Sequence, residues 1–227
     1  MAEPILRAEG LTLKDGGAAD LASVSFSIER GALAALIGPD GWDKDALVAL
    51  LAGRRRATQG TLRFQGRPIT ALAAAARTRR GLVWTLRPPL ALATGTLVEA
   101  VALAMAPRQR VHALDLWRRR PSAGISATAL EILQFVGLGG RSGRRPATLD
   151  ANGRARLELA RCLAAHPRLL VVDRLTAELD DDDATALAQL LRQLAGGGAA
   201  VLWVEDDAAL ALDHADQIVA LHHGRTL

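Results

Sequence analysis

Apolar positions along the chain follow three rhythms. Before residue 38 they come in short stretches, "PILRAEGL", "SVSFSIE" and "ALAALIG", with the turn-rich "KDGGAAD" between the first two, a pattern that predicts β-strands. The spacing then turns helical over about residues 44–53, where Gly53 closes it, and again over 94–106 and 126–137. "GTLRFQGRPI" reads as a strand and turn, and "RRGLVWTLRPP" as a strand ended by two prolines. The third rhythm is unbroken: "RLLVVD" and "AAVLWVE" are the runs expected of strands buried on both faces. A helix stopped by Pro167, "RARLELARCLAAHP", precedes the first of these, and a helix over 183–195 ending in "GGG" separates them. A short helix and a hairpin-like "QIVALHHGRTL" finish the chain, and the basic "PRQRVHALDLWRRRPSAG" reads as a surface connection. Strands alternating with helices predict an α/β protein built on a mainly parallel sheet.

Composition narrows this picture. Half of the 227 residues are hydrophobic, with no tyrosine and seven other aromatics, so aliphatic side chains supply the packing of a folded chain. The single Cys162 excludes an internal disulfide framework and is expected to be a small apolar residue on a helix. "MAEPILRAEG" lacks the layout of a signal peptide. "PPLALATGTLVEAVALAMAP" is interrupted by Gly95 and Glu99 and does not read as a membrane span, so a cytoplasmic protein is expected. The net charge is +4, with arginines grouped at Arg54–Arg56, Arg79–Arg80, Arg118–Arg120 and Arg141–Arg145. A solvated surface is the expectation for these groups; without interleaved aromatics, nucleic acid is an unfavoured partner. His112, His166, His214, His222 and His223 show no metal-ligand spacing beyond the adjacent pair, expected in a solvated hairpin.

Chemistry concentrates in "GPDGWDKDAL", residues 38–47. A strand, a glycine-bearing turn with a lysine and a helical pattern form a phosphate-binding loop, which points backbone N–H groups and a helix N-terminus at phosphate. The candidate nucleotide-binding residues are Gly38, Pro39, Asp40, Gly41, Trp42, Asp43, Lys44, Asp45 and Ala46. In the usual pattern G-x-x-x-x-G-K-[ST], Gly38, Gly41 and Lys44 stand in place, while Asp43 replaces the glycine before the lysine, Asp45 the magnesium-binding hydroxyl and Ala46 a further threonine. Three aspartates against one lysine repel phosphate: two like charges 4 Å apart cost roughly 4 kcal/mol at an effective dielectric of ~20. Two readings stand. A carboxylate at the helix N-terminus takes the place of absent phosphate, or nucleotide is still held through Lys44 with a metal on Asp45. Trp42 is expected to plug the loop or offer a stacking surface.

The order of segments resembles the ATP-binding subunit of an ABC transporter over essentially the whole chain, with a likeness to the branched-chain amino-acid subfamily. "LASVSFSIERGALAALIGPDG", "LLAGRRRATQGTLRFQGRPIT", "ALEILQFVGL", "RLELARCLAAHPRLLVVD" and "ADQIVALHHGRTL" carry it. The resemblance implies a P-loop NTPase core with an N-terminal antiparallel β segment and an inserted helical subdomain: one nucleotide-binding domain over 1–227, its core at 1–86 and 160–227, its helical part at 87–159. It also implies ATP and Mg2+ as cofactors, a second ATP-binding subunit as partner, and permease subunits at the inner face of the membrane, met near the Arg87 segment and residues 94–106. Family members often continue past "GRTL" with another helix, so a docking element is expected to be missing.

The residues that perform hydrolysis in that family are substituted here. By position, the adenine-stacking aromatic is Asp15, the water-sensing glutamine Arg87, the general-base glutamate Arg174 and the switch histidine Asp206. A guanidinium stays charged and accepts no proton. The signature segment reads Leu149, Asp150, Ala151, Asn152, Gly153, with Asp150 for serine and Asn152 for glycine. Asp173 survives as the magnesium aspartate and Asp180 as the aspartate that couples two sites. Apolar runs around these positions are intact, so the resemblance implies a retained fold with hydrolysis lost or strongly impaired, a pseudo-ATPase. The alternatives are a scaffold or regulator docking on a permease or a partner ATPase, and a basic protein associated with nucleic acid.

Overall fold

The computed structural model describes residues 3–14, 21–39, 42–86, 95–105 and 123–227. The chain divides into two units, Met1–Trp84 with Arg168–Ala177 and Thr185–Leu227, and Thr85–Pro167 with Glu178–Ala184.

The first unit holds both sheets. Strands β1 (Leu6–Leu13), β2 (Leu21–Ile28), β4 (Gln59–Phe64) and β5 (Arg67–Pro68) form an antiparallel sheet in the order β2-β1-β4-β5. The second sheet runs β10-β9-β3-β8-β7-β6, with β3 (Leu33–Ile37), β6 (Leu82–Trp84), β7 (Leu169–Asp173), β8 (Ala200–Val204), β9 (Gln217–His222) and β10 (Arg225–Thr226). Strands β9 through β6 are all parallel; only β10 turns back, antiparallel to β9. Every residue of β7 and β8 is buried, as their unbroken apolar runs require. Leu36, Leu202, Val204 and Val171 on one sheet face form a continuous core with Leu47, Leu50 and Leu51 of α1 (Trp42–Leu51) and with Leu6, Leu11 and Phe64 of the antiparallel sheet.

Two short helices and one long one complete the unit: α2 (Ala74–Arg79), α7 (Ala208–His214), and α6 (Asp181–Gly196), whose residues from Thr185 belong here. Helix α2 was not foreseen, because its alanine-rich sequence has no apolar stripe. Its function in packing comes from one polar residue. The side chain of Arg77 is fully buried and donates to four backbone carbonyls: Nε to Leu72 at 2.9 Å, one terminal nitrogen to Leu50 and Leu51 at 2.7 and 2.8 Å, and the other to Thr70 at 3.0 Å. It thereby places a cation at the C-terminal end of α1, where the helix dipole favours one. Burial lowers its pKa to about 10.

The second unit is helical. Helix α3 (Leu97–Met105) packs against α4 (Ala123–Phe135) and α5 (Ala151–Leu163) through Leu97, Val101, Ala129, Leu133 and Leu157. Cys162 is buried on α5, and its thiol is pushed up by burial and then by Glu158, which fits an apolar packing role. No helix among the described residues is long and apolar enough to cross a membrane.

Replacing Arg77 with methionine removes its bonds to four backbone carbonyls, of which, among the described residues, only Leu50 O keeps another donor, the N–H of Gly53. The expected loss of unfolding free energy is about 2–4 kcal/mol, read by urea denaturation; a loss under about 0.5 kcal/mol would contradict this role.

Candidate functional site

The C-terminal ends of the parallel strands bring distant residues together. Strand β3 ends at Ile37, and Gly38 begins the loop. Only glycine fits there: a Cβ would stand 2.2 Å from the carbonyl oxygen of Leu221 in β9. Trp42 opens α1, followed by Asp43, Lys44 and Asp45 in its first turn. Asp40, Gly41, Asp15 and Arg87 lie outside the described residues, as does the Trp42 side chain expected to plug the loop.

Lys44 is fully buried, and its ammonium points back to the strand ends. It donates to Gly38 O at 2.8 Å and Glu205 O at 3.3 Å, and it forms a close ion pair with Asp206. Arg174, directly after β7, stands opposite. Its Nε lies 2.9 Å from the Asp206 carboxylate, one terminal nitrogen bonds Asp45, and the same nitrogen is 3.5 Å from Asp173. The result is one chain of alternating charge, Lys44–Asp206–Arg174–Asp45, joining the ends of β7 and β8 to the first turn of α1.

This corrects the local charge count taken from the loop alone. Asp45 does not stand as an uncompensated carboxylate beside Lys44, because a cation 129 residues away in sequence neutralises it. Asp206 likewise faces two cations. Burial pushes its carboxyl up, but hydrogen bonds from Lys44 and then Arg174 outweigh that and hold it below the ordinary carboxylate range. Burial also works against the Arg174 charge, and the bonds to Asp45 and Asp206 prevail, raising its pKa. Arg174 occupies the left-handed backbone region at φ 46°, a conformation that costs a non-glycine residue free energy and persists where its surroundings fix it.

Asp43 behaves differently from an ordinary helix cap. One oxygen accepts from the adjacent Lys44 N–H at 3.0 Å, and the other from the N–H of Gly224 in the β9–β10 turn at 3.3 Å. It ties the C-terminal hairpin to the loop. Ala46 is buried against the core. His222 and His223 sit exposed on that hairpin with ring centroids 4.0 Å apart, and no group of three metal-ligating side chains occurs among the described residues.

Two members of the site were not anticipated. Glu205 is buried; one oxygen accepts from the N–H groups of Asp206 and Asp207 at 2.8 and 3.1 Å, and the other from the hydroxyl of buried Thr176. It shapes the turn that aims Asp206 at Lys44. The signal was present in "VEDD", where a carboxylate directly follows a buried strand.

In the helical unit, the signature segment is satisfied internally. Leu149 is buried, and Asp150 caps α5, accepting from Gly153 N at 2.7 Å. Ala151 is the first residue of the helix. Asn152 donates to Asp183 at 2.6 Å and accepts from Arg156 at 2.7 Å. Asp180 accepts from Asp183 N at 2.8 Å, capping the start of α6. Asp150 and Asn152 are thus both engaged with their own chain.

A family model described as "ABC transporter" matches residues 21–177. The sulfate/thiosulfate import ATP-binding protein CysA of Mycobacterium tuberculosis (strain ATCC 25618 / H37Rv) is 34% identical over 94% of this chain, which spans 58% of that relative's length. The high-affinity branched-chain amino acid transport ATP-binding protein BraF of Pseudomonas aeruginosa is 29% identical, over 100% of this chain and 91% of its own. Among solved structures, MJ1267, described as an ATP-binding cassette of an ABC transporter, superposes with a TM-score of 0.88 at 23% identity, covering 100% of this chain and 90% of that one. A dimeric post-hydrolysis state of the ATP-binding cassette MJ0796 with ADP and Pi gives 0.80 at 22% identity, covering 97% and 96%.

Replacing Arg174 with methionine strands Asp45 and Asp206 opposite a single lysine. The expected loss is about 3 kcal/mol near neutral pH. The Asp206 carboxyl is depressed in the folded state, so its contribution is complete above the ordinary value of about 3.9 and disappears as pH falls through the folded value. Denaturation midpoints followed from pH 7 downward should therefore converge for parent and variant at acid pH; parallel curves would exclude the ion-pair origin.

Proposed function

The chain belongs to the ABC transporter ATP-binding family, and from that membership we propose a subunit that keeps the cassette fold while hydrolysing ATP little or not at all. The observation that carries this reading is Arg174: the position of the general base holds a buried cation, bonded to Asp45 and Asp206. An arginine cannot take a proton from water.

The residues present fit a magnesium-bound triphosphate poorly. Phosphate reaching Lys44 would have to displace Gly38 O, Glu205 O and Asp206 from its ammonium. A magnesium ion held by Asp173 and Asp45 would meet the guanidinium of Arg174, which reaches both. Asp206 and Asp45 supply the negative charge that phosphate supplies elsewhere, so the loop is neutralised from within. The engaged signature segment points the same way, since Asp150 and Asn152 spend their polar atoms on Gly153, Asp183 and Arg156.

In this reading the chain pairs with a second ATP-binding subunit and sits beneath permease subunits at the cytoplasmic face of the membrane. Its own site serves as structure, and because its loop and its signature segment are both engaged, pairing with an intact partner is not expected to restore turnover at the sites the two chains share. The 29% identity to BraF along the whole of this chain supports the branched-chain amino-acid type, and the 34% identity to CysA supports a sulfate type as the second reading.

Titration calorimetry with ATP and ADP, with and without magnesium, tests the proposal. The parent is expected to show no binding at millimolar nucleotide. The variant Asp43→Gly, Asp45→Thr, Ala46→Thr, Arg174→Glu, Asp206→His restores the family residues together and is expected to bind magnesium ATP. Micromolar binding or turnover by the parent would defeat the reading.

A further inference from the structure

Charge is distributed along this chain in blocks. Residues 46–98 contain nine arginines and no aspartate, glutamate or lysine, whereas residues 169–216 contain eleven carboxylates against two arginines. The first unit turns part of that asymmetry into a surface. Helix α1 starts at the loop and runs back along the sheet, so its last turn lies at the edge opposite the ion-pair chain. The guanidinium of Arg77 fastens that last turn to α2, and Gly53 abuts the start of α2, where a Cβ would be 2.9 Å from Leu72 O and 3.0 Å from Ala74 N. Arg54 and Arg56 follow Gly53, and Arg79 and Arg80 close α2, a helix about 9 Å long at 1.5 Å per residue. Arg168 joins them, its N–H bonded to Gly81 O at 2.8 Å.

All five of these arginines are exposed. Among the described residues none has an ion-pair or side-chain hydrogen-bond partner, whereas Arg7, Arg141, Arg154, Arg161, Arg174 and Arg192 each do. The carboxylates at the same sheet edge stand elsewhere: Asp216 and Glu29 lie by β3 and β9, separated from β6 by β8 and β7, and Asp216 is engaged by Leu33 N and Arg192. Grouping five like charges with no counter-charge costs free energy unless an anion meets them.

We propose that this arginine edge binds the phosphate headgroups of an anionic phospholipid surface. Guanidinium forks match phosphate oxygens in bidentate pairs, and clusters of four to eight basic residues are the usual size for such contacts. A nucleic acid is disfavoured because, among the described residues, the edge offers no exposed aromatic for stacking: Phe64 is buried and Trp84 packs on the core. The choice of a membrane rests on the reading of the chain as a transporter subunit, but the surface itself does not depend on the state of the nucleotide site.

The test is sedimentation of the full chain with phosphatidylglycerol and with phosphatidylcholine vesicles, at about 50 mM and about 0.5 M salt. The expected result is retention on phosphatidylglycerol alone, lost at high salt. Retention should fall at least about tenfold in Arg54→Gln/Arg56→Gln/Arg79→Gln/Arg80→Gln. A control, Arg7→Gln/Arg63→Gln/Arg67→Gln/Arg225→Gln, replaces as many arginines on other surfaces of the same unit and should change it less than about twofold. Thermal melting confirms that both variants fold. Equal loss in both variants, or no preference for phosphatidylglycerol at low salt, overturns the proposal. So does duplex DNA binding that depends on the four arginines while vesicles are ignored. None of these readouts uses nucleotide, so failure here leaves the calorimetric test untouched, and the reverse also holds.

Discussion

A buried guanidinium must be met by negative charge, and in this protein that requirement organises the strand ends. Arg174 emerges from a fully buried strand and cannot reach water along most of its length. Asp45 and Asp206 answer it from two other elements, and Lys44 completes the balance. Removing one partner of such a buried pair is costly because it leaves the other uncompensated. The four side chains therefore behave as a unit, and the loop, the β7 end and the β8 end are held in one arrangement by mutual need.

Helix α1 is where this constraint meets the core. Its apolar side is locked by Leu47, Leu50 and Leu51, its first turn by Asp45 and Lys44, and its last turn by Arg77. Carboxylates at the N-terminus and a cation at the C-terminus both agree with the helix dipole. A phosphate-binding helix normally keeps its N-terminus open for its ligand. Here Asp45 and Lys44 are already engaged at that end and Arg77 holds the other, so the helix is tied at both ends.

Much of this architecture was legible in the residues. "RLLVVD" and "AAVLWVE" announced buried parallel strands, and the loop glycine and lysine located the site. Helix α2 escaped because alanines carry no periodic signal, and Arg77 escaped because a lone arginine in a basic stretch reads as solvated. The pairing of Asp45 with Arg174 was hidden by 129 residues of separation. Each substitution, taken singly, looked like damage. Only convergence at the strand ends shows that the positive charge of Arg174 and the negative charges of Asp45 and Asp206 answer one another, and sequence spacing alone cannot supply that convergence.

The ion-pair chain also sets the direction in which this sequence can change. Restoring glutamate at position 174 alone would place it against Asp45 and Asp206, and restoring a hydroxyl at position 45 alone would remove one of the two carboxylates bonded to Arg174. Either single change would leave an unbalanced charge at the strand ends, at the cost of a broken buried pair. The four positions are therefore coupled, so that a change at any one of them alters what the other three can tolerate.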